Sequence, residues 1–315
     1  MLHVHTSREQ LPAKHRRSAR PMWGAALILI AFAACDGCKS MSKQPVAENV
    51  VHSRQMSLDA LEALQHRRYD DAELLFAKAI ETCPVDERAR YHYADLLWRR
   101  GDHDGAIRQM NEAVRLSAGE PSVVVRLGQM HLARGDTKQA RRQAERAVQG
   151  DHRNAEAWSL LGDTQRAAGQ LDDALASYHR ALSLQEVFPH VQVALAEVYR
   201  AQHRPQRALA TLAALEDRYR ADRVPPELLV QEGLALRDLG RHDDAARVLT
   251  AAIDRGSKLT ETYYALALVQ AQSGDFVNAQ LSVAAGLELS PQHVPSQRLR
   301  DELFQARVPR GNEWR

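Results

Sequence analysis

The chain has 315 residues, 26% of them charged and 5% aromatic, a mixture that fits a helix-rich protein better than a sheet protein. Its formal net charge is +2, but five of the 42 basic side chains and only one of the 40 acidic ones lie in residues 1–34. The remainder is slightly acidic and lacks the dense basic face that bulk nucleic-acid binding needs.

Lys14, Arg16, Arg17 and Arg20 precede the apolar run "MWGAALILIAFAA", Met22 to Ala34. As a helix, this run spans roughly 20 Å, short of the ~30 Å hydrocarbon core of a bilayer. A basic n-region, a short apolar h-region and small residues before a cut describe a secretory signal over 1–34. The stretch "FAAC", Phe32 to Cys35, resembles a bacterial lipobox, although Phe32 stands where leucine is usual. That resemblance implies lipid transfer to Cys35 and cleavage before it. The n-region is long for such a signal, which points to an initiation site inside it. An ordinary cleaved signal and an uncleaved anchor are the alternatives; a buried core helix is disfavoured by the charged flanks. Arg16–Arg17 matches only a fragment of a twin-arginine signal. Every exported version places the body outside the cytoplasm, because basic flanks stay inside. The expected location is the periplasmic side of a bacterial envelope, lipid-anchored, with inner and outer membrane both open. Asp36 after the lipid site implies inner-membrane retention by the pattern of enteric bacteria.

Three cysteines, Cys35, Cys38 and Cys83, exclude a disulfide framework. Cys35 and Cys38 form C-x-x-C, but no second pair or strand–helix context supports zinc or redox chemistry. Residues 35–52 lack periodicity and read as a tether.

Beyond the tether the chain repeats itself. Ala72, Ala106, Ala140, Ala174 and Ala208 recur every 34 residues, and after a three-residue slip Ala245 and Ala279 continue the interval. Twelve residues before each stands Ala60, Ala94, Gly128, Gly162, Ala196, Gly233 or Ala267. Seven residues after each stands Ala79, Ala113, Ala147, Ala181, Leu215, Ala252 or Gly286. Large residues at helical spacing, such as Trp158, Leu161, Leu175 and Tyr178, fill the gaps. The pattern predicts pairs of antiparallel helices, none able to bury its apolar face alone, whose small side chains allow close approach. Gly101, Gly135, Gly169, Gly240 and Gly274 fall where a first helix ends. Asp102, Asp136 and Asp275 follow as candidate N-caps of the second helix. Asp70, Asp104, Asp172, Asp173, Asp243 and Asp244 enrich its first turn, favourably for the helix dipole. Their recurrence at one architectural point favours capping over a metal site, even in "GDHDG" at 101–105. Pro84 and Pro291 end units. His203 replaces the turn glycine in the fifth unit, and "DRYRADRVPPE" follows, where a bend or local mobility is expected.

These residues resemble the tetratricopeptide repeat family over 53–292, as seven units. Trp158, Leu161, Gly162, Ala174, Tyr178 and Ala181 form the clearest copy, with Gln165 replacing the family's usual tyrosine. The resemblance implies an all-α, right-handed α-solenoid whose first helices line a concave groove. A polar capping helix is expected over 293–308, with Leu299, Leu303 and Phe304 on one face, and a tail over 309–315.

No H-E-x-x-H, G-x-S-x-G, phosphate-cradling loop or dinucleotide fingerprint occurs, so neither catalysis nor a cofactor, metal or small-molecule substrate is expected. Relatives that hold carboxylate tails of heat-shock chaperones use Lys and Asn on their first helices. Here the column after the small residue reads Leu61, Asp95, Gln129, Asp163, Glu197, Leu234 and Leu268, which excludes that ligand class. Three residues further come Trp98, Leu132, Arg166, Arg200 and Arg237. Asp163–Arg166 and Glu197–Arg200 are therefore i,i+3 pairs, either a solvated face or a polar floor for an extended or helical peptide. Tyr91, Trp98 and Tyr264 flank that floor. The expected function is a non-catalytic adaptor that grips a protein partner in its groove and a membrane through lipid on Cys35. Its layout resembles lipoproteins of pilus assembly, with polysaccharide export, envelope-enzyme regulation and a cytoplasmic adaptor as alternatives.

Overall fold

A computed structural model describes residues 44–307 of the chain. The readings of 1–43, including the signal and Cys35, and of the tail after 307 lie outside the described residues. Among the described residues there are fifteen α-helices and no strand. Fourteen helices pair as α1–α2 (Gln44–Gln65, Tyr69–Thr82), α3–α4 (Glu87–Arg100, His103–Leu116), α5–α6 (Pro121–Ala133, Thr137–Gly150) and α7–α8 (Ala155–Ala167, Leu171–Leu184). The series continues with α9–α10 (Pro189–Ala201, Pro205–Glu216), α11–α12 (Pro226–Asp238, His242–Asp254) and α13–α14 (Thr260–Gln272, Phe276–Leu289). The fifteenth, α15 (Val294–Arg307), closes the stack. Among the described residues, no helix is long and apolar enough to cross a membrane.

The helix α1 starts inside the segment read as a tether, which is helical from Gln44 onward. Residues 48–52 carry no buried side chain to mark the helix, and its buried positions begin with Ser53, Ser57 and Ala60 at helical spacing. The Ser53 hydroxyl donates to Asp86 Oδ2 at 2.7 Å, and Asp86 Oδ1 in turn accepts from the Arg88 and Ala89 amides to cap α3.

The small residues mark where helices touch. All seven members of the alanine column are fully buried, as are the alanines of the column twelve residues before it. Four residues after the alanine column a second column lies in the same core: Phe76, Met110, Ala144, Tyr178, Leu212, Leu249 and Val283. In the fourth and sixth units its side chain faces the glycine of its own first helix, whereas Gly128, opposite the small Ala144, is met by Leu160 of the next unit. A Cβ on Gly162 would sit 2.6 Å from the Tyr178 ring, and one on Gly233 2.6 Å from Leu249 Cγ. There a large side chain lies under the smallest, each contributing roughly 1.5–3 kcal/mol by burial.

Each pair turns in the same way. At Gly101 (φ 89°) the next amide, Asp102 N, donates to Leu97 O at 3.0 Å and closes α3. The bond recurs at Gly135, Gly169, Gly240 and Gly274, and also at Arg67 and His203, which both adopt φ 57°. Asp102 and Asp275 cap the second helix through their side chains. Asp136 does not: its carboxylate turns to Arg134 and His131 instead. The acids of the first turns also tie neighbouring units together. Asp70 is held by Arg100 at 2.6 Å, Asp104 by Arg134 at 2.7 Å and Asp172 by Gln202 at 2.8 Å. No cluster of metal-ligating side chains occurs among the described residues.

Successive first helices touch one another (α1 with α3, α5 with α7, α7 with α9, α9 with α11, α11 with α13), and successive second helices do not pack to that degree. The first helices therefore occupy the tighter, concave side of the stack. The three-residue slip is taken up between α10 and α11, where a 3-10 turn spans Ala221–Arg223 and Val224 is buried. At the end, α15 lays Leu299 and Leu303 on α14, but Phe304 points to solvent at 70% exposure rather than sharing their face.

Candidate functional site: a polar ladder and a cavity on the first helices

Positions nine residues into a first helix and three further recur on the concave side, so their side chains meet across units. Asp163 does not close on Arg166, nor Glu197 on Arg200, as the i,i+3 reading had it. Asp163 Oδ1 accepts the Tyr178 hydroxyl at 2.7 Å, and Arg166 Nε donates to the Tyr178 hydroxyl oxygen at 3.3 Å. Arg166 then crosses to the next unit and pairs with Glu197 Oε2 at 2.9 Å. Gln231 of the unit after that donates to Glu197 Oε1 at 3.0 Å and accepts from Arg200 at 3.0 Å. Arg200 also reaches Asp238 Oδ2 at 2.9 Å, and Arg237 holds the other oxygen of Asp238 at 2.8 Å. The result is one ladder across α7, α9 and α11. The units are related by translation along the stack, so an arginine one turn from an acid finds the next unit's partner nearer than its own.

A shorter ladder lies on α3 and α5, where Arg126 pairs with Asp95 at 2.7 Å and donates to Gln129 at 3.3 Å. The flanking aromatics are less available. Tyr91 is half-buried against His92, Trp98 packs on His103 with centroids 4.2 Å apart, and Tyr264 packs on His293 beside α15. Arg126, Gln231, Asp238 and the second role of Tyr178 were missed in the sequence. Arg126 and Gln231 both stand two residues before the small column, a register that could have been read.

Beside the ladder a cavity of about 410 Å³ opens between α7, α9 and α11. Pro189, Val193, Ala194 and Leu215 supply apolar walls, and Tyr219 and Pro225 of the α10–α11 link close one side. Asp163, Arg166, Glu197 and Glu227 reach it with charge, and His190 bonds Ser159 Oγ at 3.0 Å at its edge. Burial pushes the Asp163 and Glu197 carboxyls above their ordinary range, against the opposing pull of the Tyr178 hydroxyl and Arg166. Burial and the adjoining Asp163 charge push the Tyr178 hydroxyl up in turn, so it remains a donor. The arrangement offers apolar contact and fixed charges of both signs.

Comparison with family models matches tetratricopeptide repeats at residues 59–121 and 230–293, at 97–164 and at 155–186. No curated protein matches the chain significantly. Among solved structures, a tetratricopeptide repeat protein from Parabacteroides merdae is similar, with 10% identity and a TM-score of 0.67 over 81% of this chain and 99% of that one. PilW, described as a widely conserved type IV pilus biogenesis factor, aligns at 18% identity and TM-score 0.58 over 63% of this chain and 91% of its own. Pseudomonas aeruginosa pilF aligns at 15% identity and TM-score 0.56 over 69% and 97%.

Proposed function

Because the chain belongs to the tetratricopeptide repeat family, we propose that it works as a non-catalytic scaffold that grips a peptide or helix of another protein on its first-helix face. The observation that carries this reading is the ladder from Asp163 to Arg237. It fixes charged groups of three units in one register, and ordered side chains lose less entropy when a partner arrives. Main-chain groups of an extended segment would meet these donors and acceptors, and apolar side chains would enter the cavity.

The N-terminal sequence supports a second element of the proposal, a lipid on Cys35 that holds the scaffold on the periplasmic side of a bacterial envelope. Fold similarity to PilW and pilF makes assembly of a pilus or secretion complex the preferred setting.

Two experiments test these elements separately. Envelope partners captured by the full chain are compared with those captured by Arg166→Glu and Arg200→Glu, with thermal melts as folding controls. A folded variant that retains every partner at full yield refutes groove binding. Metabolic labelling with an alkynyl fatty acid should mark the wild type and not Cys35→Ala. An intact N-terminus by mass spectrometry refutes processing and favours a cytoplasmic adaptor.

A further inference from the structure

The cavity stands where the repeat period breaks. Units elsewhere follow at 34 residues, whereas Ala208 and Ala245 are 37 apart, and the added link supplies Tyr219 and Pro225 to the cavity wall. Glu227, on the first turn of α11, faces the cavity from the far side of that link. The volume, about 410 Å³, is many times the ~30 Å³ share of one water, so it admits a large side chain.

The charges around it do not cancel. Arg166 is engaged by Glu197 and by the Tyr178 hydroxyl. Asp163 accepts only that hydroxyl, and Glu227 has no hydrogen bond or ion pair with the described residues. Two carboxylates outside any ion pair thus flank an apolar hollow, Asp163 feeling Arg166 only at longer range. Resting on the groove-binding reading above, we infer that this cavity is a specificity pocket, which takes a bulky apolar side chain borne next to a lysine or arginine of the bound segment. The apolar group fills the space between Val193, Ala194 and Leu215, and the cation reaches Asp163 and Glu227. Burial already disfavours the Asp163 carboxylate, so an arriving cation relieves a cost that the free protein carries. A segment with an acid beside its apolar residue meets like charge and is rejected.

The test selects a phage-displayed library of random dodecapeptides on the full chain and measures enriched peptides by fluorescence anisotropy. The expected peptides share a large apolar residue within two positions of Lys or Arg. Their affinity should fall about tenfold, ~1.4 kcal/mol, in Glu227→Lys. Val193→Trp, which fills the hollow, should weaken them at least as much while Arg108→Glu on the outer surface leaves them unchanged. Circular dichroism melts confirm that each variant is folded. Enriched peptides that lack the apolar–cation pair, or that bind folded Glu227→Lys and Val193→Trp as tightly as the wild type, overturn the pocket while leaving groove binding intact. Enrichment of nothing at all overturns both.

Discussion

Replacing Gly162 with alanine is expected to destabilise the fourth unit, although alanine is the better helix former. The new Cβ would lie 2.6 Å from Tyr178 Cδ1 and Cε1 and 3.1 Å from Cζ. Tyr178 is fully buried and its hydroxyl is anchored on Asp163 at 2.7 Å, so the ring has nowhere to retreat without losing that bond. Overpacking costs roughly 1–3 kcal/mol and a weakened bond to a charged acceptor up to about 1.5–3 kcal/mol. Against these, the helix gains only ~1 kcal/mol of propensity. The net loss should be about 1–3 kcal/mol, read by urea unfolding with far-UV circular dichroism and Trp158 fluorescence. In a Tyr178→Leu background the substitution recreates the Ala196–Leu212 pairing of the next unit, where both residues are buried without conflict. There Gly162→Ala should turn neutral or stabilising, by up to ~1 kcal/mol. Stabilisation by Gly162→Ala in the wild-type background would refute the packing argument.

The other predictions concern the ladder and the turns. Arg200→Ala, at 15% side-chain exposure and bonded to both Asp238 and Gln231, should cost about 1–3 kcal/mol in unfolding experiments. Arg241→Ala, whose partner Asp244 lies one turn away at the surface, should cost only ~0.2–0.5 kcal/mol. Asp163 has a raised folded-state pKa, chiefly from burial, so the native protein holds its proton more tightly than the unfolded chain. The wild type should therefore gain stability relative to Asp163→Asn as pH falls from neutrality through the raised pKa toward the unfolded value, measured as a growing difference in melting temperature. His203→Gly should raise stability by about 0.5–1 kcal/mol, because φ 57° strains any residue with a Cβ.

The repeat was legible because it rests on excluded volume: a position that admits only glycine or alanine leaves the same mark in every unit. The turns were legible for a similar reason, since Gly101 and its equivalents need φ > 0. Contacts between units were harder to read. Asp163 and Arg166 look like partners along one helix, yet Arg166 reaches Glu197 across the stack, and which acid lies nearer depends on the spacing of neighbouring helices rather than on sequence distance. The start of α1 was missed because residues 48–52 are exposed or half-buried, so no apolar period marks the helix before Ser53. The cavity was out of reach for another reason. "DRYRADRVPPE" marked an irregularity, but only the fold shows that Tyr219 and Pro225 face Val193 across a hollow.

Site-specific photocrosslinking in cells that express the chain tests most directly whether the concave side is where the partner binds. A benzophenone amino acid is placed singly at Gln129 and Val193 on the first helices, and at Arg142 and Arg247 on second helices. Discrete adducts from Gln129 and Val193, absent at Arg142 and Arg247, are the expected result. Adducts confined to Arg142 and Arg247 would contradict it.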